Sequence, residues 1–184
     1  TAIVSSDANN KTLAWSSSNE AVATVTQDGK VTAKSKGTAI ITVKATDGSN
    51  VSASCTVNVV KLVSGIVLSE SEITLNEGQS TQLTATVTPD LANNKTLSWS
   101  SSNEAIAIVT QEGKITAISK GTAIITATST DGSNISASCT VNVVKLVSGI
   151  VLSETEMTLN EGQSAQLTAI VSSDANNKTL AWSS

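Results

Sequence analysis

The chain has no histidine, tyrosine, phenylalanine or arginine, and only one proline, one methionine and two cysteines among its 184 residues. Each absence removes a class of chemistry. Without histidine, a serine or cysteine nucleophile would need lysine or a carboxylate as its base, and no such cluster recurs along the sequence. All eleven basic residues are lysine and the formal net charge is −4. That balance argues against nucleic acid, which calls for a basic stripe and for aromatic or arginine platforms under the bases. It is also a lesser argument against anchoring on anionic membranes. No apolar run approaches the roughly 18–20 residues of a membrane span, and no segment resembles a signal peptide. The missing signal carries no weight, because the chain starts in mid-repeat and the protein is expected to extend on both sides.

What is present is repetition. Trp15, Trp99 and Trp182 are spaced 84 and 83 residues apart, and Cys55 and Cys139 are 84 apart. Residues 11–67 align without a gap on 95–151, with 47 of 57 positions identical, and Thr1–Ser17 recurs letter for letter as Thr168–Ser184. This is an array of one module. Equivalent cysteines in successive modules lie far beyond the ~7 Å Cα limit of a bridge, so no intrachain disulfide is expected. A module of this length holds a modest core without one.

The copy from Leu62 to Lys145 shows the internal pattern. Gly65–Glu70 and Ile73–Leu75 read as a broken first strand that ends at Asn76-Glu77-Gly78. Leu83, Ala85 and Val87 alternate with threonines until Pro89 stops the strand. After the polar loop Asp90–Lys95, Leu97 and Trp99 share one face. Ala107 and Val109, then Ile115 and Ala117, flank a hairpin turn with Gly113 where a positive φ is needed. Gly121 opens Ala123, Ile125 and Ala127, and Asp131-Gly132 turns the chain into Ile135, Ala137, Cys139, Val141 and Val143. Seven to eight short strands with turn signals and no helical period predict an all-β, two-sheet antiparallel sandwich. The replacements Val22/Ile106, Val31/Ile115 and Val51/Ile135 keep β-branched apolar side chains and support that phase.

Strand passes almost directly into strand at the boundaries. Thr56–Val60 runs through Lys61-Leu62-Val63-Ser64 into Gly65–Leu68, and Val141 to Leu152 repeats the arrangement. No Gly/Ser linker of the kind that behaves as a random coil intervenes. The expectation is an extended array with limited hinge freedom, each module adding roughly 35–40 Å. The chain parses as a partial module over residues 1–61 lacking its first strands, a complete module over 62–146, and a partial module over 147–184 that ends after the Trp strand. One explanation is a window on a longer tandem protein. The other is strand donation, in which the leading strands of one chain complete the open module of the next.

Five blocks resemble bacterial immunoglobulin-like domains of group 2: Leu75–Pro89, Trp99–Ala107, Gly113–Ala117, Gly121–Ala127 and Cys139–Val143. The resemblance covers one full and two partial copies. It implies tandem immunoglobulin-like sandwiches in extracellular bacterial proteins, such as adhesin stalks similar to the intimin and invasin type. Such modules also occur in phage structural proteins and beside carbohydrate-active domains. It carries over no catalytic residues, and some members of the family are calcium binders; no cofactor other than calcium is expected.

Several features are weighed against plainer explanations. Cys55 and Cys139 share the inward phase of their strands and are expected as small core residues. The three tryptophans alternate with Leu13, Leu97 and Leu180, which places them in the core. Asp47-Gly-Ser-Asn50 and Asp131-Gly-Ser-Asn134 are calcium candidates, but each offers one carboxylate, short of a tight ligand set, so turns are preferred. Asn-x-Ser/Thr occurs at Asn10, Asn50, Asn94, Asn134 and Asn177, as loop composition alone would give. Thr24 and Lys34 become Ile108 and Ile118 on an outward phase, a candidate contact patch for another module or chain, or drift on a β-surface.

The expectation is a non-enzymatic spacer of an extracellular or cell-surface bacterial protein. Its partners are the neighbouring modules of the same chain, with self-association into fibres or by strand donation, and neither nucleic acid nor membrane insertion. The alternatives are a binding module for glycan or host matrix, using the loops at Asp90–Lys95 and Asp131–Asn134, and a component of a virion or phage tail.

Overall fold

A computed structural model describes residues 2–5, 8, 10–172 and 174–183. They fall into two compact units. The first holds the chain up to Val63 together with Pro89–Asn94, and the second holds Ser64–Thr88 and Lys95 onward.

In the second unit the alternating segments close into a sandwich. Its strands are β6 (Gly65–Leu68), β7 (Glu72–Asn76), β8 (Ser80–Gln82), β9 (Ala85–Thr88), β10 (Leu97–Ser101), β11 (Ala107–Val109), β12 (Lys114–Ala117), β13 (Gly121–Ser129) and β14 (Ser136–Val144). One sheet has the order β10-β13-β14-β7; opposite it lie β11-β12-β8 and the pair β6-β9. The first strand is broken as the sequence suggests. Its leading half, β6, pairs antiparallel with β9, while β7 pairs with β14 in parallel, Ile73 opposite Val141 and Leu75 opposite Val143. One parallel pair thus joins an otherwise antiparallel sandwich, because a first strand that changes sheets without reversing runs alongside the last strand. Ser69 fixes the break: its amide donates to the Thr84 carbonyl at 2.9 Å, and its hydroxyl accepts from the Thr84 amide at 3.2 Å.

The core is the inward phase of these strands. Leu83, Ile115, Ile125, Cys139 and Val141 are fully buried, with Leu75 and Trp99 beside them. Gln111 anchors the backbone of Trp99 from both sides, accepting from its amide at 3.1 Å and donating to its carbonyl at 3.0 Å. The outward phase pairs with itself, Thr122 donating to Asn142 at 2.9 Å and Thr126 meeting Ser138 at 3.0 Å. Period-two alternation therefore sorts a hydroxyl face from an apolar one.

The first unit repeats the later half of this pattern in β1 (Leu13–Ser17), β2 (Ala23–Val25), β3 (Val31–Ala33), β4 (Gly37–Ala45) and β5 (Ser52–Val59). Its sheet runs β1-β4-β5, with β2-β3 as a hairpin. Register is preserved: Trp15 faces Val43 as Trp99 faces Ala127, and Ile41 faces Cys55 as Ile125 faces Cys139. Burial is not preserved. Cys139 is buried and Cys55 exposed, and Val31 is 41% exposed where Ile115 is 0%. The expectation that both cysteines are core residues holds only for Cys139, and that for the tryptophans only for Trp99. Trp15 is half-buried and Trp182 is 60% exposed. The reason is the missing cover: Leu75 and Leu83 close over Cys139 and Trp99, whereas among the described residues β5 pairs with β4 alone. In the third copy, β15 (Ile150–Leu152) and β16 (Ala169–Val171) form the antiparallel pair that β6 and β9 form in the second.

Removing the cover is the direct test of this core. Leu83→Ala should cost about 3 kcal/mol, a transfer loss plus a cavity at a site walled by β-strands. Gly113→Ala should also destabilise, because φ is +83° and a Cβ would lie 2.4 Å from the Leu83 carbonyl oxygen. Urea unfolding monitored by tryptophan fluorescence checks both. Losses below about half a kcal/mol would mean Leu83 is not a structural keystone.

Candidate functional site at the module joints

The polar groups that connect one copy to the next form the same device twice. Lys61, just beyond β5, donates its amide to Asn93 Oδ1 at 2.8 Å and accepts the Asn93 amide on its carbonyl at 2.8 Å. Lys145, just beyond β14, makes the same two bonds with Asn176, at 2.7 and 2.9 Å. An asparagine side chain mimics a peptide group, so each pair works like a rung of β-ladder between an outgoing strand and an incoming loop. A second lysine reinforces each joint. Lys36 Nζ donates to the Leu91 carbonyl at 3.0 Å, and Lys120 Nζ to the Asp174 carbonyl at 3.4 Å. Ala92 and Ala175 sit between these contacts, 8% and 4% exposed. Tight turns shape both loops, the Ala92 amide donating to the Pro89 carbonyl and the Ala175 amide to that of Ser172.

Charge is layered on the second joint. Glu77 follows β7; its amide donates to the Val144 carbonyl at 3.0 Å and its Oε1 accepts the Lys120 amide at 2.8 Å. Lys145 Nζ lies 3.6 Å from Glu77 Oε2 and 2.5 Å from Asp174 Oδ2. The hydrogen bond to Asp174, then the charges of Asp174 and Glu77, raise the Lys145 pKa above its ordinary 10.5. The bond from Lys145 lowers the Asp174 carboxyl below 3.8. All three side chains reach solvent, so the pairs add little to stability; the backbone bonds of Asn176 hold the joint.

The residues singled out from sequence divide differently. Asp47 Oδ1 accepts the Ser49 amide and Asp131 Oδ1 the Ser133 amide, each at 2.9 Å. Asn50 and Asn134 take positive φ, 60° and 58°. These loops are Asx turns closed by left-handed asparagines, and each carboxylate is engaged by its own loop. Bonds from Ser49 lower the Asp47 pKa. Among the described residues no three histidine, cysteine, aspartate or glutamate side chains gather as metal ligands. Burial raises the Cys139 thiol, with Glu70 and Glu72 adding to it, away from the range of a reactive thiolate. Ile108 on β11 and Ile118 just past β12 are 40% and 47% exposed, Ile108 opposite Thr116. Asn10 and Asn177 each accept the amide of the threonine two residues on, at 2.9 Å, so the Asn-x-Thr spacing there is that of an Asx turn. The first asparagine of each Asn-Asn pair, Asn93 and Asn176, was not anticipated as a joint residue. Nothing in the sequence separates this use of an Asn-Asn pair from an ordinary polar loop.

The family model for the bacterial Ig-like domain (group 2) matches residues 2–57 and 62–141. An uncharacterised protein of Clostridium acetobutylicum is 43% identical over 149 residues, 80% of this chain and 15% of that protein. An Ig-like virion protein of Serratia phage KSP90 is 38% identical over 135 residues, 71% of this chain and 52% of its own length. The chain thus spans less than two thirds of either relative. Among solved structures, the C-terminal 282-residue fragment of intimin, in complex with the intimin-binding domain of the translocated intimin receptor, aligns at 19% identity and a TM-score of 0.44, over 74% of this chain and 54% of that one.

Asn176→Ala should speed hydrogen exchange at the Lys145 amide about tenfold, the loss of one net hydrogen bond. Asp174→Asn should change it less. The Asp174 contribution is present above 3.8 and is lost as pH falls through its lowered folded pKa. That of Lys145 is present below 10.5 and is lost as pH rises through its raised one, so both operate throughout neutral pH. An Asp174→Asn effect larger than that of Asn176→Ala would reverse the assignment. Millimolar calcium should leave the melting temperature unchanged, whereas a rise of more than about 4 °C would make the Asp47 and Asp131 loops cation sites.

Proposed function

We propose that this chain, which belongs to the bacterial Ig-like domain (group 2) family, is a non-enzymatic spacer segment of an extracellular or surface protein. The observation that carries this reading is the duplicated joint: the same two-point Lys–Asn bond occurs at Lys61/Asn93 and at Lys145/Asn176. A linker that only tethered its neighbours would have no use for a repeated backbone clamp. In this reading each clamp holds the strand that leaves one module against a loop of the next, and the serine, threonine and asparagine faces keep the modules soluble. In a spacer the work is mechanical, and stability is local to each module and its interface.

A second reading, a structural component of a virion, draws on the 38% identity to the phage Ig-like virion protein. It changes the particle that carries the modules, not their physics. Small-angle scattering of the chain and of the Asn93→Ala/Asn176→Ala double variant tests the common core of both. The spacer reading expects a narrow range of dimensions in the native chain and a broader one in the variant. Identical curves would remove the clamp as the basis of the reading.

A further inference from the structure

Within the second unit, β10 is the end strand of the sheet β10-β13-β14-β7, and β11 the end strand of β11-β12-β8. An end strand directs alternate peptide groups away from its sheet, where they can accept another strand. On β10 the even positions turn inward: the Thr96 carbonyl accepts the Thr130 amide at 3.1 Å, and the Ser102 amide donates to the Ile124 carbonyl at 2.9 Å. Trp99, at the middle of the strand, therefore turns its amide and carbonyl outward. Gln111 meets both, its Oε1 accepting from the amide at 3.1 Å and its Nε2 donating to the carbonyl at 3.0 Å. On β11 the middle of the hairpin arm is treated alike. The Ala107 amide donates to the Asn103 carbonyl at 3.1 Å, and its carbonyl accepts the Ser101 hydroxyl at 2.6 Å. Each end strand thus has the donor and the acceptor of one outward residue taken within the module.

We propose that Gln111 is an edge guard: its amide stands where the peptide of an added strand would stand, and it keeps β10 from pairing with β10 of a second copy. In an antiparallel ladder, two residues of a hydrogen-bonded pair exchange both N–H···O bonds. Gln111 makes that same pair of bonds to Trp99, because a glutamine amide carries the donor and the acceptor of a peptide group. The occupant it excludes is set by the repeat. Leu97-Ser-Trp-Ser-Ser101 recurs as Leu13-Ala-Trp-Ser-Ser17 and again over residues 180–184. An open β10 would meet a strand of its own kind in every molecule, and aromatic residues paired across strands favour the contact. Pairing antiparallel about Trp99 is self-complementary and closes as a dimer. The neighbouring side chains do little to prevent it. Ser98 and Ser100 are exposed beside Trp99 and lack the charge by which edge strands are otherwise protected. The guard is held in place by its turn. Gln82 Nε2 donates to the Glu112 carbonyl at 2.7 Å, and the Gly113 amide to the Thr110 carbonyl at 3.0 Å. The loop that carries Gln111 is thereby tied to β8 on one side and to its own hairpin on the other.

Sedimentation velocity of the 184-residue chain and its variants, at matched micromolar concentrations, tests this. Gln111→Ala should raise the weight-average mass to about twice that of the native chain as β10 strands pair. Gln111→Asn, too short to reach both Trp99 atoms, should do the same and serves if the alanine variant does not fold. Protection of the buried Cys139 from thiol labelling reports folding in each sample. Gln111→Glu keeps an acceptor for the Trp99 amide and puts a charge at the edge, so its mass should stay at the native value. Adding Ser98→Lys and Ser100→Lys to Gln111→Ala should return the mass to the native value as well. A folded Gln111→Ala or Gln111→Asn chain that sediments like the native one would overturn the proposal. Association of Gln111→Glu would overturn it too, by tracing the effect to a weakened module. Association that persists with both lysines would do so by placing the contact on another surface.

Discussion

A sheet with one apolar face must be covered, and in this repeat the cover comes from strands that precede the sheet in sequence. Leu75 and Leu83, on β7 and just after β8, close over Trp99, Ile115 and Cys139, on β10, β12 and β14. Where they do so, the inner face is dry. Where the same face stands without them, Val31 and Cys55 remain open to solvent. Nearly the same side chains at the same register thus give a tight core in one unit and a groove in the other. Burial here is a property of strand order as much as of composition: in the first unit Val22 and Ala23, beside the β2-β3 hairpin, bury Ala39, while Val31 and Cys55 stay open.

That dependence explains which parts of the fold were legible in the sequence. Alternation named every buried apolar position of the second unit from Leu83 to Val143 but not the buried Ser129, since period two has only two phases and Ile/Val exchanges between copies marked the inward one. The hairpin at Gly113 and the break between β6 and β7 were equally readable, one from its glycine and the other from the interrupted apolar phase. Three features were not. The parallel pairing of β7 with β14 joins residues about seventy positions apart, and nothing local records it. The exposure of Cys55 follows from which strands are present, not from its own neighbours. The clamp at Asn93 and Asn176 uses an amide side chain as backbone, and composition cannot tell that use from an ordinary polar loop.

Two kinds of polar contact meet at the joints, and they differ in consequence. The Lys–Asn pairs satisfy main-chain groups at the end of a strand, where an unpaired amide carries a penalty. The bonds of Lys145 to Glu77 and Asp174 lie between long side chains that water reaches, so ordering them offsets much of what the charges gain. The first kind sets the geometry of the joint. The second biases it and is sensitive to salt.

The differences between the copies follow the same division. Replacements accumulate on outward faces, as in Thr24/Ile108, Lys34/Ile118 and Lys44/Thr128, or exchange one small or β-branched side chain for another, as in Val43/Ala127. Positions that fix backbone geometry do not vary between them. Gly29 and Gly113 share a φ of 83°, and Gly37 and Gly121 a φ of 151°. Lys36 and Lys61 reappear as Lys120 and Lys145, and Asn93 as Asn176. A module that had only to fold would need the glycines but not the joint residues. Retaining both sets through the repeat is what a continuous series of modules requires, because each copy must present the same end to the next.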